Sequence, residues 1–319
     1  MSIIKKVSFV LVLFFSFIVS DGQEIPYNPV SYRIFSPFIF NPAIAGSKDF
    51  LSIDAIASLQ TKSYSQIISA NTRLLDKGPG YIISPNLRTF SNIGVGGAIF
   101  NDMHGSYRHI GAIAAGSYHL PLDRKDLSFL SLGISAKGIY YHSPGDSIPG
   151  IKEKNKIYPN FDAGIYFYNP SFFVGFSGTN LLGNPEDPDS LGVYSIPVSR
   201  QYYLYGGYKF VISRPFDIVI EPSVIINTGD TIHTGRDAIT DMIQPMLKVY
   251  FGNFCLGTYF KGYDKIPFFF EFKYPRFYIG TFFQLPRNTP FYKKDITAEI
   301  VFGLNFANDN LGFGKNSHW

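Results

Sequence analysis

The sequence predicts an all-β protein: a transmembrane antiparallel β-barrel of about 14 strands with an N-terminal plug-like segment. Apolar and polar residues alternate over strand-length stretches along most of the chain. The composition is 17% aromatic and only 16% charged, whereas soluble domains carry about 25% charged residues. Beyond the N-terminus, no unbroken apolar run approaches the roughly 20 residues of a membrane helix.

The first 22 residues have the pattern of a signal peptide. Lys5 and Lys6 precede an apolar stretch over 7–19, and small residues at 20–22 come before a cleavage site that leaves Gln23 first. A membrane anchor needs a longer span of about 20 residues. We therefore divide the chain into four parts, listed here in order: signal peptide 1–22, N-terminal plug or arm 23–47, outer-membrane barrel 48–306 and polar C-terminal tail 307–319.

The segment 23–47 does not alternate and contains four prolines. Proline cannot donate to a sheet ladder, which excludes a central strand. The segment is also apolar, so it needs a covered location. Two locations remain open: a plug inside the barrel, or a periplasmic arm that binds a partner.

Alternation defines the strands, and it is clearest over 296–306, long enough to cross a bilayer at a tilt. One face of this stretch is apolar: Ile296, Ala298, Ile300, Phe302, Leu304 and Phe306. The complete set of predicted strands is 50–60, 79–88, 93–101, 107–120, 128–141, 158–169, 171–180, 201–212, 215–227, 243–251, 253–261, 266–274, 276–285 and 294–306.

Charged residues within these strands are expected to face the lumen, because a charge directed at lipid costs about 2–4 kcal/mol. Both signs occur, so the charges can pair across the lumen. The predicted lumen charges are Asp54, Lys137, Asp162, Lys209, Asp217, Glu221, Lys248, Glu271, Lys273 and Glu299.

Connection lengths predict the orientation. Tight turns at 169–170, 213–214, 252–253 and 274–275 alternate with long connections at 61–78, 142–157, 181–200, 228–242 and 286–293. Outer-membrane barrels have short periplasmic turns and long external loops. We therefore expect an outer-membrane protein with both termini in the periplasm and lipid around its wall. A soluble β-sandwich is the alternative, but its polar face would be rich in Lys and Glu, unlike the small residues found here.

Several motifs carry a resemblance to a known family. After the prolines, the sequence reads Asn41, Pro42, Ala43, Ala45, Gly46, Ser47 at the positions of an Asn-Pro-Ala-x-Ala-Gly-Ser signature. Further matches follow in order at 94–105, 161–182 and 205–224. Together they resemble the PorP/SprF family of the Bacteroidota type IX secretion and gliding machinery. The aromatic Gln-Trp element expected after the first strand is reduced to Gln60.

This resemblance implies an outer-membrane barrel that anchors or helps secrete a surface protein, with a periplasmic ring or a secreted adhesin as partner. It singles out Asn41, Pro42, Ala43, Ala45 and Gly46 as a plug motif. Two other interpretations stay open. One is a channel for small solutes like the FadL transporters, which also have fourteen strands and an Asn-Pro-Ala hatch; the other is a purely structural barrel.

No enzymatic, cofactor or metal site is expected. The six histidines form no metal-binding pattern, and no nucleophile motif occurs. The glycines at 94, 96 and 97 precede no helix, so we expect them to ease barrel curvature rather than bind phosphate. The net charge of +4 forms no basic stripe, which argues against nucleic acid as a partner.

Overall fold

The computed structural model describes residues 31–48, 50–60, 63–76, 89–104, 107–123, 127–143, 154–183, 200–229, 242–260, 265–274, 276–286 and 297–307. Four predictions lie outside these residues: the signal peptide, the start of the 23–47 segment, the strand at 79–88 and nearly all of the C-terminal tail. Among the described residues, no helix is long and apolar enough to cross a membrane.

The described residues contain fifteen strands in one antiparallel sheet. Their bounds are β1 Phe50–Gln60, β2 Ser63–Asp76, β3 Thr89–His104, β4 Tyr107–Asp123, β5 Ser128–Ser143, β6 Lys154–Tyr168, β7 Phe172–Thr179, β8 Gln201–Tyr208, β9 Phe210–Ser213, β10 Ile218–Gly229, β11 Ile243–Phe251, β12 Phe254–Tyr259, β13 Lys265–Tyr274, β14 Phe277–Pro286 and β15 Thr297–Ala307. Before them lie a short helix α1 (Ser31–Phe35) and two 3-10 turns, Pro37–Ile39 and Pro42–Ile44.

The sheet closes on itself. Strands adjacent in the chain pair with each other, β10 pairs with β11, and β15 pairs with β1. The result is a ring of fourteen strands, β1–β8 and β10–β15, to which β9 adds one short extra strand on β10. A closed ring leaves no sheet edge unpaired, which is a requirement for strands inside a bilayer.

The predicted all-β barrel of about 14 strands is therefore confirmed, although two strands were placed wrongly. Residues 63–76 form β2, whereas the sequence predicted a long connection over 61–78. The reason is that the outward face of β2 carries Gln66 and Thr72 among its apolar residues, which obscures the alternation. The predicted strand 201–212 is divided at Lys209, whose backbone N–H donates to the Ser171 carbonyl oxygen (2.7 Å) instead of to β10.

The outer face of the wall is apolar and the inner face is largely polar. Along β5, the outward Leu132 and Ile134 are 49% and 70% exposed. The inward Ser131 and Ser135, which alternate with them, are buried. Many strands carry large apolar side chains on the outer face. Exposing such side chains is favourable in lipid hydrocarbon and unfavourable in water.

The two ends of the barrel differ. We call the end where β1 begins and β15 finishes the terminal end, and the other the far end. Connections at the terminal end are 77–88, 124–127, 169–171, 214–217, 252–253 and 275–276. Those at the far end are 61–62, 105–106, 144–153, 180–200, 230–242, 260–264 and 287–296. Apart from 77–88, the long connections all lie at the far end.

Candidate functional site: the plug and its seat in the wall

Residues 31–47, called the plug below, form a chain of short turns. The Ser36 N–H donates to the Tyr32 carbonyl (2.8 Å), and the Ala45 N–H donates to the Pro42 carbonyl (3.1 Å). Each 3-10 turn begins with a proline, whose fixed φ suits the first position of a helical turn. The prolines that exclude a strand therefore favour the turns that are observed.

Asn41 organises the turn at the Asn-Pro-Ala element. Its backbone is extended, and its side-chain oxygen accepts a hydrogen bond from the Ala43 N–H (2.9 Å), as in a helix N-cap. Its amide nitrogen donates to the Ile165 carbonyl in β6 (3.1 Å) and to the Tyr205 hydroxyl in β8 (3.2 Å). One buried side chain thus shapes the plug and attaches it to two wall strands.

Inward serines bind the plug backbone. Ser131 in β5 donates to the Ala43 carbonyl (2.7 Å), Ser177 in β7 to the Phe40 carbonyl (2.7 Å), and Ser117 in β4 to the Ala45 carbonyl (2.6 Å). His119, also in β4, lies 2.9 Å from the same Ala45 oxygen. These bonds satisfy plug carbonyls that no water reaches.

The start of the plug is attached to the opposite part of the ring. Arg33 donates to the Gln244 side chain in β11 (2.8 Å). The Ser36 hydroxyl contacts Asp54 in β1 (3.0 Å) and Ser69 in β2 (2.7 Å). Together with the bonds from β4 to β8, these contacts surround the plug, so residues 31–47 lie inside the ring of strands.

Glycines in the wall make room for the plug. A Cβ on Gly133 would lie only 2.5 Å from the Ala43 Cα, and a Cβ on Gly164 or Gly94 would overlap Asn41 or the Ala45 carbonyl. Such positions accept no side chain while the plug is seated. The seat is therefore made of glycines and serines that no sequence motif marks as plug contacts. Gly94 contacts the plug in addition to any effect on curvature.

Aromatic packing completes the seat. Phe35, Phe38 and Phe40 of the plug are at most 4% exposed. Phe40 packs edge-on against Tyr205 (5.1 Å between ring centroids), and Phe35 stacks on Tyr278 (5.6 Å). Aromatic pairs of this kind contribute about 0.5–1.5 kcal/mol beyond their buried area.

All five residues of the predicted plug motif are buried in this seat: Asn41, Pro42, Ala43, Ala45 and Gly46. Gly46 has a positive φ of 69°, and a Cβ there would lie 2.6 Å from the Gly94 Cα. The motif ends the plug and directs the chain toward β1, because only glycine tolerates both this conformation and this contact.

Several of the predicted lumen charges are buried and bonded. Asp54 accepts hydrogen bonds from Ser36 and Ser52 (both 3.0 Å) and from the Tyr278 hydroxyl. Asp54 joins the plug to two wall strands, since Ser52 is in β1 beside it and Tyr278 is in β14.

Two buried ion pairs lie elsewhere in the lumen. Lys137 contacts Asp162 at 2.7 Å, and Lys248 contacts Glu221 at 3.0 Å. Asp162 also accepts a hydrogen bond from Ser135 (2.7 Å). Both pairs join neighbouring strands, and each partner offsets the desolvation of the other.

The other predicted charges divide into two groups. Glu299 is buried opposite Ser58 of β1, whereas Lys209, Glu271 and Lys273 are half-buried around a cavity at the terminal end. Asp217 does not fit the prediction: it is exposed, with φ 48°, in the turn 214–217 before β10 begins. The predicted strand began three residues too early, which placed this turn residue in the wall.

In the part of the chain that the structure describes, no three His, Cys, Asp or Glu side chains are grouped so as to hold a metal ion. The site is instead a buried seat of hydrogen bonds and close contacts between one segment and its own barrel.

A closed ring of fourteen antiparallel strands, apolar outside and filled inside by an N-terminal plug, defines an outer-membrane β-barrel. Residues 26–314 match the family described as type IX secretion system membrane protein PorP/SprF. The chain belongs to this family. The membership implies contact with lipid and with other components of a secretion machinery.

Solved structures similar to this chain include two porins and BamA. The KdgM porin is 9% identical with a TM-score of 0.34, covering 80% of this chain and 99% of the porin. The NanC porin is 8% identical (TM-score 0.37; 80% and 98%). BamA from Haemophilus ducreyi, lacking POTRA domains 1–3, is 10% identical (TM-score 0.38; 81% and 71%). No curated protein matches the sequence.

Proposed function

We propose that the protein is a non-enzymatic outer-membrane component of the type IX secretion and gliding machinery, which anchors or helps to secrete a surface protein. Family membership supports a place in the secretion machinery. The plugged barrel supports a role in anchoring or helping to secrete a surface protein. In this proposal the terminal end faces the periplasm, where it meets a periplasmic ring, and the far end faces outward, where a secreted adhesin docks.

The single observation that carries the proposal is the seated plug. Phe38, Asn41, Ala43 and Ala45 are at most 1% exposed, and polar bonds reach the plug from strands around the ring. A filled lumen suits a rigid seat for other proteins better than an open path for solutes. The same observation argues against a permanently open pore, and the buried ion pairs Lys137–Asp162 and Lys248–Glu221 argue against an apolar path behind a hatch of the FadL kind.

The distribution of connections supports the orientation. The turns at the terminal end are short except 77–88, whereas the far end has four connections of ten or more residues beside the short ones at 61–62, 105–106 and 260–264. Outer-membrane barrels place short turns in the periplasm. Long loops on a rigid scaffold form a surface for recognition, and 180–200 combines acidic residues and prolines suited to that use.

Affinity purification tests the proposal. The protein, tagged in the far-end connection 230–242, is isolated from outer membranes in mild detergent, and co-purifying proteins are identified by mass spectrometry. An unrelated tagged outer-membrane barrel serves as the control. We expect secretion-machinery subunits or a secreted surface protein to be enriched only with this chain. Purification without such proteins, together with saturable uptake of a small solute by the intact barrel, contradicts the proposal.

A further inference from the structure

A cavity of about 250 Å³ lies between the plug and the wall at the terminal end of the barrel, where β1, β6–β8 and β10–β15 line it. Its outer limit is the β11–β12 turn, where Gly252 and Asn253 are exposed, and Lys48, also exposed, lies beside it. Its inner limit is the plug, including Phe40 and Ile44. The cavity is thus closed by the plug on one side and reaches the rim on the other.

Among the charged side chains that line the cavity, the cationic ones predominate. Five line the cavity: Arg33, Lys48, Lys209, Lys248 and Lys273. Among the residues that the structure describes, only two carboxylates, Glu221 and Glu271, line it with them. Glu221 is already engaged by Lys248 (3.0 Å) and the Tyr250 hydroxyl (3.2 Å). The lining therefore carries an excess of positive charge.

This excess has a physical consequence. A charge in a confined, partly dry site is costly unless an opposite charge approaches it. Clefts lined by charge of one sign also concentrate the field and attract counter-charged ligands. The cavity should therefore bind an anion more strongly than an exposed lysine pair does.

The rest of the lining indicates what kind of anion fits. Phe40, Tyr205 and Met246 form an apolar inner surface beneath the cationic rim. A water molecule takes up about 30 Å³ of liquid, so the volume also accommodates an acidic side chain with its methylene groups. A short acidic side chain that enters from the rim brings its carboxylate level with the cationic mouth and stops above the apolar floor, which offers a carboxylate no partner.

We propose that this cavity binds the carboxylate side chains of an acidic peptide segment, presented to the terminal end by a partner protein. The inference relies on the proposed function only for the source of the segment. If the cavity fails to bind, the secretion role and its co-purification test are unaffected. If co-purification fails, peptide binding by the isolated barrel still decides the chemistry of the cavity.

The test uses the full chain in detergent and two fluorescein-labelled peptides, one with four glutamates and one with four glutamines, followed by fluorescence anisotropy. We expect the glutamate peptide to bind, with an affinity that falls as salt rises, and the glutamine peptide not to bind. Equal binding of the two peptides overturns the proposal. This comparison requires no variant, so it does not depend on how a mutant folds.

Substitutions then locate the binding. Lys209→Gln with Lys273→Gln removes two cavity charges, and Lys154→Gln with Lys156→Gln removes two charges at the far end. Because two charged partners of the carboxylates are lost, the cavity variant should bind more weakly by roughly a hundredfold or more. The far-end variant should bind as the native chain does. The reverse result places the peptide at the far end and overturns the proposal.

Inorganic phosphate distinguishes a peptide site from a general anion site. We expect phosphate to displace the glutamate peptide only at concentrations far above the peptide's own Kd. Displacement by phosphate at or below that Kd means that the cavity takes a free anion, which overturns the assignment to a peptide. Retained heat-modifiable migration on gels checks that each variant is a folded barrel.

Discussion

Replacing Gly133 with alanine tests whether the plug is seated as described. The added Cβ would lie 2.5 Å from the Ala43 Cα, whereas carbon atoms at optimal contact are about 3.5–4.0 Å apart. The obstacle is backbone, not the end of a flexible side chain, so the Asn-Pro-Ala turn must retreat by about 1 Å. Gly138, on the same strand, has no atom within 4 Å of its Cβ position and provides a matched control.

The cost follows from the bonds that this retreat breaks. Ser131 donates to the Ala43 carbonyl at 2.7 Å, and moving the turn by about 1 Å takes the pair beyond a hydrogen bond. The Asn41 bond to the Ile165 carbonyl, 3.1 Å, is strained by the same shift. Each buried group left without a partner costs about 1–3 kcal/mol, so seating of the plug should weaken by about 2–5 kcal/mol.

Conductance of the purified barrel in planar bilayers is the assay. We expect the native chain and Gly138→Ala to be closed, and Gly133→Ala to open to ions with frequent closures. Both variants should keep heat-modifiable migration, because the wall strands are unchanged. A Gly133→Ala barrel that is as closed as the control would show that the turn does not lie against β5.

Three further substitutions test other parts of the account. Asn41→Ala removes the cap of the turn, worth about 1 kcal/mol, and leaves the Tyr205 hydroxyl without this partner. Conductance should therefore rise, and an unchanged, closed barrel would contradict the role of Asn41. Lys137→Met leaves the buried Asp162 without its cationic partner, which should lower the free energy of unfolding in urea by about 3–5 kcal/mol. Adding Asp162→Leu should restore part of the loss. A double variant less stable than the single one would refute the pairing. Ile134→Arg places a charge toward lipid and should destabilise the barrel by about 2–4 kcal/mol, with Ile134→Leu as control; equal unfolding curves would mean that this face is not in lipid.

The barrel could be predicted because lipid imposes a strict pattern. A residue that faces hydrocarbon must be apolar, so strands such as β5 and β15 alternate clearly along their length. The pattern weakens where the outward face contains polar residues, as in β2 with Gln66 and Thr72. The position of a strand end is not fixed by alternation either, which explains why Asp217 was assigned to the wall and not to a turn.

The plug motif could be selected only through a family resemblance, and its seat could not be selected at all. Proline and asparagine in sequence indicate turns, but they do not indicate which wall residues the turns touch. Alternation along β5 places Gly133 on the inward face and Gly138 on the outward face, but it does not indicate what lies against the inward glycine. The Asn-Pro-Ala turn lies against Gly133, and that contact joins residues about ninety positions apart in the chain.

Cross-linking in intact cells tests most directly the central claim that the N-terminal segment is a plug inside a membrane-inserted barrel. The Ser36 and Ser69 hydroxyl oxygens are 2.7 Å apart, so cysteines at both positions are close enough for a disulfide of about 2.05 Å between sulfurs after small adjustments. Cys255, the only native cysteine, is replaced by serine, and Ser36→Cys with Ser135→Cys serves as the mismatched pair. We expect a 36–69 linked peptide in outer membranes by mass spectrometry and none from the mismatched pair. Free, reagent-accessible thiols at both positions would show that the segment does not lie inside the barrel.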